Sequence, residues 1–196
     1  MYDLTETLTY GDVTLRPLLD SDSGLLWELY EPKIFEFMLN KIESKEQLEK
    51  WLGAGIHQMN VEGTAHAFVV ENIETKEIMG TTRIYGIDHT NYSCEIGSTF
   101  YGKQYQRTHV NTTCKYLLLK YCFEQIGTIR VQFKTDELNV SSQRAIERIG
   151  GIKEGILRNE RIRSNGTVRN AIVYSIIESE WPEIQYKLVQ MMNKYS

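Results

Sequence analysis

The stretch QRTHVN, residues 106–111, follows a polar loop and opens a helix with apolar periodicity. Backbone N–H groups at a helix start lack intrahelical partners, and the helix dipole adds about half a positive charge there. A loop entering a helix from a strand end can therefore cradle phosphate. The same residues also read as an ordinary helix start capped by Asn111 or Thr112. A second constellation lies in TDELNVSSQRAIERIGG, residues 135–151, where Asn139 and Ser142 stand three apart at the opening of another helix. Both are favoured helix-capping types. Metal chemistry is not expected, because His57, His66, His89 and His109 never fall at ligand spacing. Three cysteines make no disulfide framework, and Cys114 and Cys122, eight apart, have helical core spacing.

The elements that must position these residues follow from periodicity. Val13–Leu19 alternates as a strand. Asp20 or Ser21 then caps a helix carrying Leu25, Leu26, Leu29 and Tyr30, which Pro32 interrupts before a further turn through Phe35 and Met38. Ser44 with Gln47 is a capping-box signal for a helix continuing through Leu48, Trp51, Leu52 and Met59. Residues 66–72 and 77–87 read as a hairpin, with a third strand over 92–100. Cys114, Leu117, Leu118, Tyr121 and Cys122 fall at i, i+3, i+4, i+7 and i+8, a strongly amphipathic helix that Gly127 stops. A strand over 128–135, a helix over 140–149 ending at Gly150–Gly151, strands at 152–158 and 168–178 joined near Asn165–Gly166, and a helix Trp181–Lys194 complete the order βααβββαβαββα. Trp27, Tyr30, Phe35, Trp51 and Tyr174 read as core.

The chain of 196 residues reads as one domain, 1–196, of mixed α/β class. No apolar run approaches the ~18 residues needed to span a bilayer. The polar, acidic start has neither a basic nor an apolar signal region, so a cytoplasmic protein with no membrane partner is expected. The net charge of −4 is uneven: residues 1–100 balance to −10 and residues 101–170 to +7. An anionic ligand on the middle segment and a cationic partner for the first half fit this split, as do solvated helix faces. The basic residues are not interleaved with stacking aromatics, so direct nucleic-acid binding is not expected.

Taken together, TLRPL (14–18), EIG (95–97), QRTHVNTTCKYLLLKYCFEQIGTIRV (106–131), LNVSSQRAIERIGG (138–151), KEGILR (153–158) and RNAIVYSIIESEW (169–181) resemble the GNAT superfamily of N-acetyltransferases, of the RimJ/RimL type. The resemblance covers most of the chain. It implies the GNAT fold: a central, mostly antiparallel twisted sheet with splayed middle strands flanked by helices. It also implies an enzyme that moves an acetyl group from acetyl-CoA to a primary amine, releasing CoA, by direct attack in a ternary complex. The acceptor would be a protein N-terminus, ribosomal proteins included, or a small amine. A homodimer is compatible with it, since relatives often dimerise. A non-catalytic acyl-CoA-binding domain on the same fold is the alternative.

Residue by residue, the family's pyrophosphate motif falls on Gln106, Arg107, Thr108, His109, Val110 and Asn111, with Thr112 next along the helix. His109 and Asn111 stand where Gly or Ala is usual. Glycine there permits positive φ and close backbone approach; Asn and His are among the few other residues enriched at positive φ. The resemblance places Thr99 and Phe100 along the pantetheine arm, with a backbone N–H for the thioester oxygen. It gives Asn139 to the pantetheine and Ser142 to protonation of the departing thiolate. For the base it offers Glu160 first and Glu95 second. A lysine amine, pKa about 10.4, is far less often neutral at pH 7 than an α-amine near 7.8, a difference of about 3.5 kcal/mol. An enzyme for N-termini can therefore work with a weakly tuned carboxylate acting through water.

Overall fold

The computed structural model describes residues 6–163 and 165–194. Eight strands form one sheet: β1 (Leu8–Tyr10), β2 (Val13–Pro17), β3 (Ala65–Asn72), β4 (Ile78–Asp88), β5 (Ser93–Tyr101), β6 (Arg130–Asp136), β7 (Ile152–Ile162) and β8 (Val168–Ile177). Their spatial order is β1-β2-β3-β4-β5-β6-β8-β7. All neighbours run antiparallel except β5 and β6, which are parallel and pair only through Ser93–Arg130, Cys94–Val131 and Glu95–Gln132. Beyond that point β6 leaves the edge of β5, and the sheet opens at its centre.

Helices α1 (Ser23–Glu28) and α2 (Lys45–His57) cover one face of the first half of the sheet. Helices α3 (Val110–Lys120), α4 (Val140–Arg148) and α5 (Trp181–Met192) contribute to the core on the other face. That larger core joins Leu15, Phe68, Ile84, Ile96, Phe133 and Tyr174 to Leu117 and Leu118 of α3 and to Leu188 of α5. The smaller one sets Leu26, Phe35, Leu48 and Leu52 against Val69 and Phe100. Trp27, Tyr30 and Phe35 stack in succession, and Trp51 and Phe100 meet Phe35 and each other at steeper, tilted or edge-on angles to complete the ladder. Helix α3 is packed almost all round, Thr112 to Leu119 being buried.

Several elements differ in detail from the sequence reading. Strand β1, three residues long, forms a hairpin with β2 and was not expected, being too short to show a period. Strand β7 runs to Ile162, four residues past its expected end. Neither Asp20 nor Ser21 caps α1: a 3-10 turn spans Asp20–Asp22, and the Asp22 carboxylate instead accepts from the Leu19 amide and from Arg16. At α2, Ser44 accepts from the Gln47 amide as expected, but Gln47 returns to the amide of Glu43 rather than of Ser44. Gly127 ends the α3 segment at φ +75, a left-handed conformation that glycine adopts without a Cβ penalty.

Candidate active site

The cleft where β5 and β6 part is shaped by a bulge in β5. The register passes from Arg83–Gly97 to Thr81–Phe100, so that Ser98 and Thr99 together oppose Thr82. Ser98 takes φ +48, a left-handed value uncommon outside glycine, asparagine and aspartate. The extra residue reverses the alternation of faces. Cys94 and Ile96 before it, and Tyr101 after it, join the α3-side core, whereas Phe100 joins the α1/α2 side. Gly80 holds the neighbouring strand close at this point, because a Cβ there would lie 2.2 Å from the carbonyl oxygen of Phe100. A strained residue kept in place by close packing is the kind of feature that collects at functional sites.

Thr99 and Phe100 follow the bulge residue Ser98, and their side chains lie on opposite faces of the sheet. The Phe100 ring is buried in the aromatic ladder. The Thr99 hydroxyl meets the Thr82 hydroxyl at 2.7 Å and the carbonyl of Gly97 at 3.2 Å, and it accepts from Lys115 Nζ at 3.0 Å. Sequence reasoning missed Lys115. Its signal was a lysine in register with Leu118, Leu119 and Cys122, on the buried side of α3.

Residues 102–109 lead from β5 into α3. Gln106 Nε2 donates to the carbonyl of Tyr101, and the Thr108 hydroxyl donates to the carbonyl of Tyr105 while accepting from the Val110 amide. Thr108 thus does the capping that Asn111 or Thr112 was expected to do; both lie inside the helix. The left-handed residue is Arg107, at φ +63, whereas His109 has φ −65 and ψ −24. The loop therefore keeps its turn without glycine at 109 or 111, and the expectation of positive φ at those positions is corrected. His109 Nε2 lies 2.9 Å from Asp12 Oδ1 in the β1–β2 turn, an attachment no local pattern announces. Arg107 and Gln106 are exposed. Thr112 accepts from Arg148 at 2.7 Å, tying the first turn of α3 to the last turn of α4.

Beyond β6, Asn139 Oδ1 accepts from the Ser142 amide at 3.0 Å, so Asn139 caps α4 and Ser142 stands in its first turn. The turn that presents them is anchored by Asp136 at the end of β6. Its carboxylate accepts from Arg163 twice, at 2.7 and 2.8 Å, and from the Leu138 amide, and its carbonyl accepts from the Asn139 amide. Burial pushes the Asp136 carboxyl up, but the Arg163 and Leu138 bonds with the charges of Arg163 and Arg169 outweigh it and hold the group below its ordinary value.

Glu95 and Glu160 are each engaged. Glu95, buried, accepts from the Tyr85 hydroxyl, from Gln132 at 2.9 Å and from Lys134 at 3.0 Å. It lines a cavity of about 250 Å³ with Tyr85, Ser93, Arg130 and Gln132. Burial first, then Glu95, pushes the Tyr85 phenol well above its ordinary value, so it stays a donor. Glu160 on β7 is paired to Arg169 at 3.2 Å and to Arg161 at 3.0 Å. Among the described residues no group of His, Cys, Asp and Glu could hold a metal ion, and no helix is long and apolar enough to cross a membrane.

A mostly antiparallel sheet opened at its centre, with a bulge on one lip and a helix start at the mouth, is the architecture of an acetyltransferase. The acetyltransferase (GNAT) domain pattern matches residues 12–152, and the chain belongs to that family. It is an N-acetyltransferase, the activity by which the curated relatives it matches are named. One is the N-acetyltransferase p20 of Bacillus licheniformis, 24% identical over 178 residues that cover 90% of this chain and 98% of p20. A solved structure from T. thermophilus, assigned as an acetyltransferase, is 28% identical with a TM-score of 0.86, covering 97% of this chain and 99% of that one. RimJ of Mycobacterium smegmatis, solved with CoA-disulfide, shares the fold at a TM-score of 0.81 and 18% identity, with 97% of each chain covered.

Proposed function

We propose that this enzyme takes its acetyl group from acetyl-CoA and gives it to the α-amine of a peptide or protein, by direct attack within a ternary complex. The observation that carries this reading is the opening between β5 and β6, with the bulge at Ser98–Thr99 on one side and the start of α3 at its end. The residues present fit such a ligand. The first turn of α3 offers backbone amides and a positive dipole end to phosphate. Gln106, Arg107, Thr108, His109, Val110, Asn111 and Thr112 surround that turn, and the +7 balance of residues 101–170 favours a polyanion. When bound, acetyl-CoA supplies an activated thioester.

The chain's own groups divide the remaining work. A backbone amide at Thr99–Phe100 holds the carbonyl oxygen, and preorganised donors of this kind carry large rate effects. Asn139 lines the arm, and Ser142 returns a proton to the leaving sulfur. The oxygens of both candidate carboxylates are held by hydrogen-bond partners, and the observation that favours Glu95 is the cavity it borders. Glu95 would relay the amine proton through Tyr85 or water. The half of the sheet beyond β5 presents Gln132 and Lys134 on the side away from α3, a polar surface suited to a peptide. A cytoplasmic location and a homodimer belong to the same proposal. The test is isothermal titration of acetyl-CoA, with ATP and NAD as controls: selective micromolar binding supports the reading, and no binding up to millimolar refutes it.

A further inference from the structure

Lys115 stands in the second turn of α3, and only 8% of the residue is exposed. Its Nζ reaches Thr99 Oγ1 at 3.0 Å, and among the described residues it makes no ion pair with a carboxylate. The titratable groups set against it are thiols, Cys114 and Cys122 of its own helix segment. Burial pushes its ammonium down to about 8.

A buried cation with hydroxyl company and no counter-ion costs the fold stability, and an apolar side chain of similar length would pack the same space better. The lysine therefore has no evident structural reason to be charged. Its placement supplies another. Through one hydrogen bond it fixes the hydroxyl of Thr99, and Thr99 is the bulge residue that meets Thr82 across the strand pair. The bulge determines where the backbone amides of β5 point once β6 has departed. A positive charge directly behind it acts in a medium of low polarity, where electrostatic influence is least screened.

We propose that Lys115 is a positioning residue for acetyl transfer: acting through Thr99, it holds the β5 bulge in the donating geometry and places a positive charge behind the site where negative charge develops on the acyl oxygen. This rests on the acetyl-CoA reading above. The effect of losing a charge that acts from behind a donor is about ten- to a hundredfold in turnover, below the loss of a direct oxyanion donor.

The test compares the wild-type enzyme with K115M, T99V and the double variant, reading thermal midpoint, acetyl-CoA Kd by titration, and kcat and KM with a peptide amine. K115M is expected to melt no lower than wild type and to bind acetyl-CoA within threefold, yet to lose ten- to a hundredfold in kcat. T99V should lose a similar factor, and the double variant no more than the larger single loss, because the two act as one unit. A K115M enzyme with kcat within twofold of wild type overturns the assignment. So does one whose melting point falls and whose Kd weakens in parallel, which is the signature of a structural lysine. Wild-type turnover is read first: if no amine is acetylated, the acetyl-CoA reading itself fails, whereas wild-type turnover matched by K115M removes the positioning role alone.

Discussion

Asp136 joins the fold to the chemistry, and replacing it by asparagine should show both effects. Its side chain is fully buried and faces two guanidinium groups, Arg163 with 13% and Arg169 with 7% of the side chain exposed. D136N removes the charge, and its amide group turns a donor toward Arg163. Breaking one member of a buried pair costs about 3–5 kcal/mol. Here Arg169 keeps Glu160 at 3.2 Å and Arg163 keeps Glu137 at 3.9 Å, so the lower half of that range applies. In a chain of this size each kcal/mol moves the melting point by about 2–4 °C, which gives a fall of about 10 °C at pH 7. The sign of the pH dependence follows from the carboxyl being held below its ordinary value. Its stabilisation is present above the unfolded value near 3.9 and is lost as pH falls through the folded value. Thermal unfolding of both proteins, followed by circular dichroism from pH 7 downwards, should show a gap that closes only in acid below about pH 4. A D136N melting point within 2 °C of wild type at pH 7, or a gap that persists unchanged into strong acid, would refute the ion-pair account.

Further expectations concern the site. S142A should lower kcat by about a hundredfold, the low end for an acid–base group, while acetyl-CoA binding by titration stays within threefold; loss of binding instead would place Ser142 in the cofactor's hold. E95Q should cut turnover at least tenfold and E160Q less than fivefold, measured by thiol release at saturating substrates, and the reverse order would return the base to Glu160. Acetyl-CoA affinity should fall steadily with added salt if the start of α3 and Arg107 hold phosphates, and a salt-independent Kd would place the cofactor elsewhere.

The central strands were legible because burial enforces their period, as the alternation of β6 shows; the pattern from Cys114 onward located α3, but the exposed face it implied is absent, since Thr112 to Leu119 are all buried. β1 was not legible, since three residues cannot display a period and its pairing with β2 is tertiary. The extension of β7 to Ile162 was hidden because the strand is exposed on both faces along most of its length and lacks alternation. At the candidate site, the loop into α3 and the opening of α4 were legible as helix starts, whereas the features that set their geometry were not. Arg107 rather than His109 takes the left-handed turn, and no local signal marks an arginine for that task. The Asp12–His109 contact joins residues 97 apart. The β5 bulge depends on pairing with β4, and Lys115 matters only because the bulge brings Thr99 to its face.

The central claim is transfer of an acetyl group from acetyl-CoA to an amine at the β5–β6 cleft. The most direct test is to incubate the purified enzyme with acetyl-CoA and a panel of peptides, counting acetylated α-amines by mass spectrometry against CoA thiol released. The account predicts one acetyl group on the peptide α-amine for each thiol released, with both signals abolished when Ser98 is deleted to straighten the bulge. Release of thiol without acetylated peptide, or no release with any amine, would contradict it.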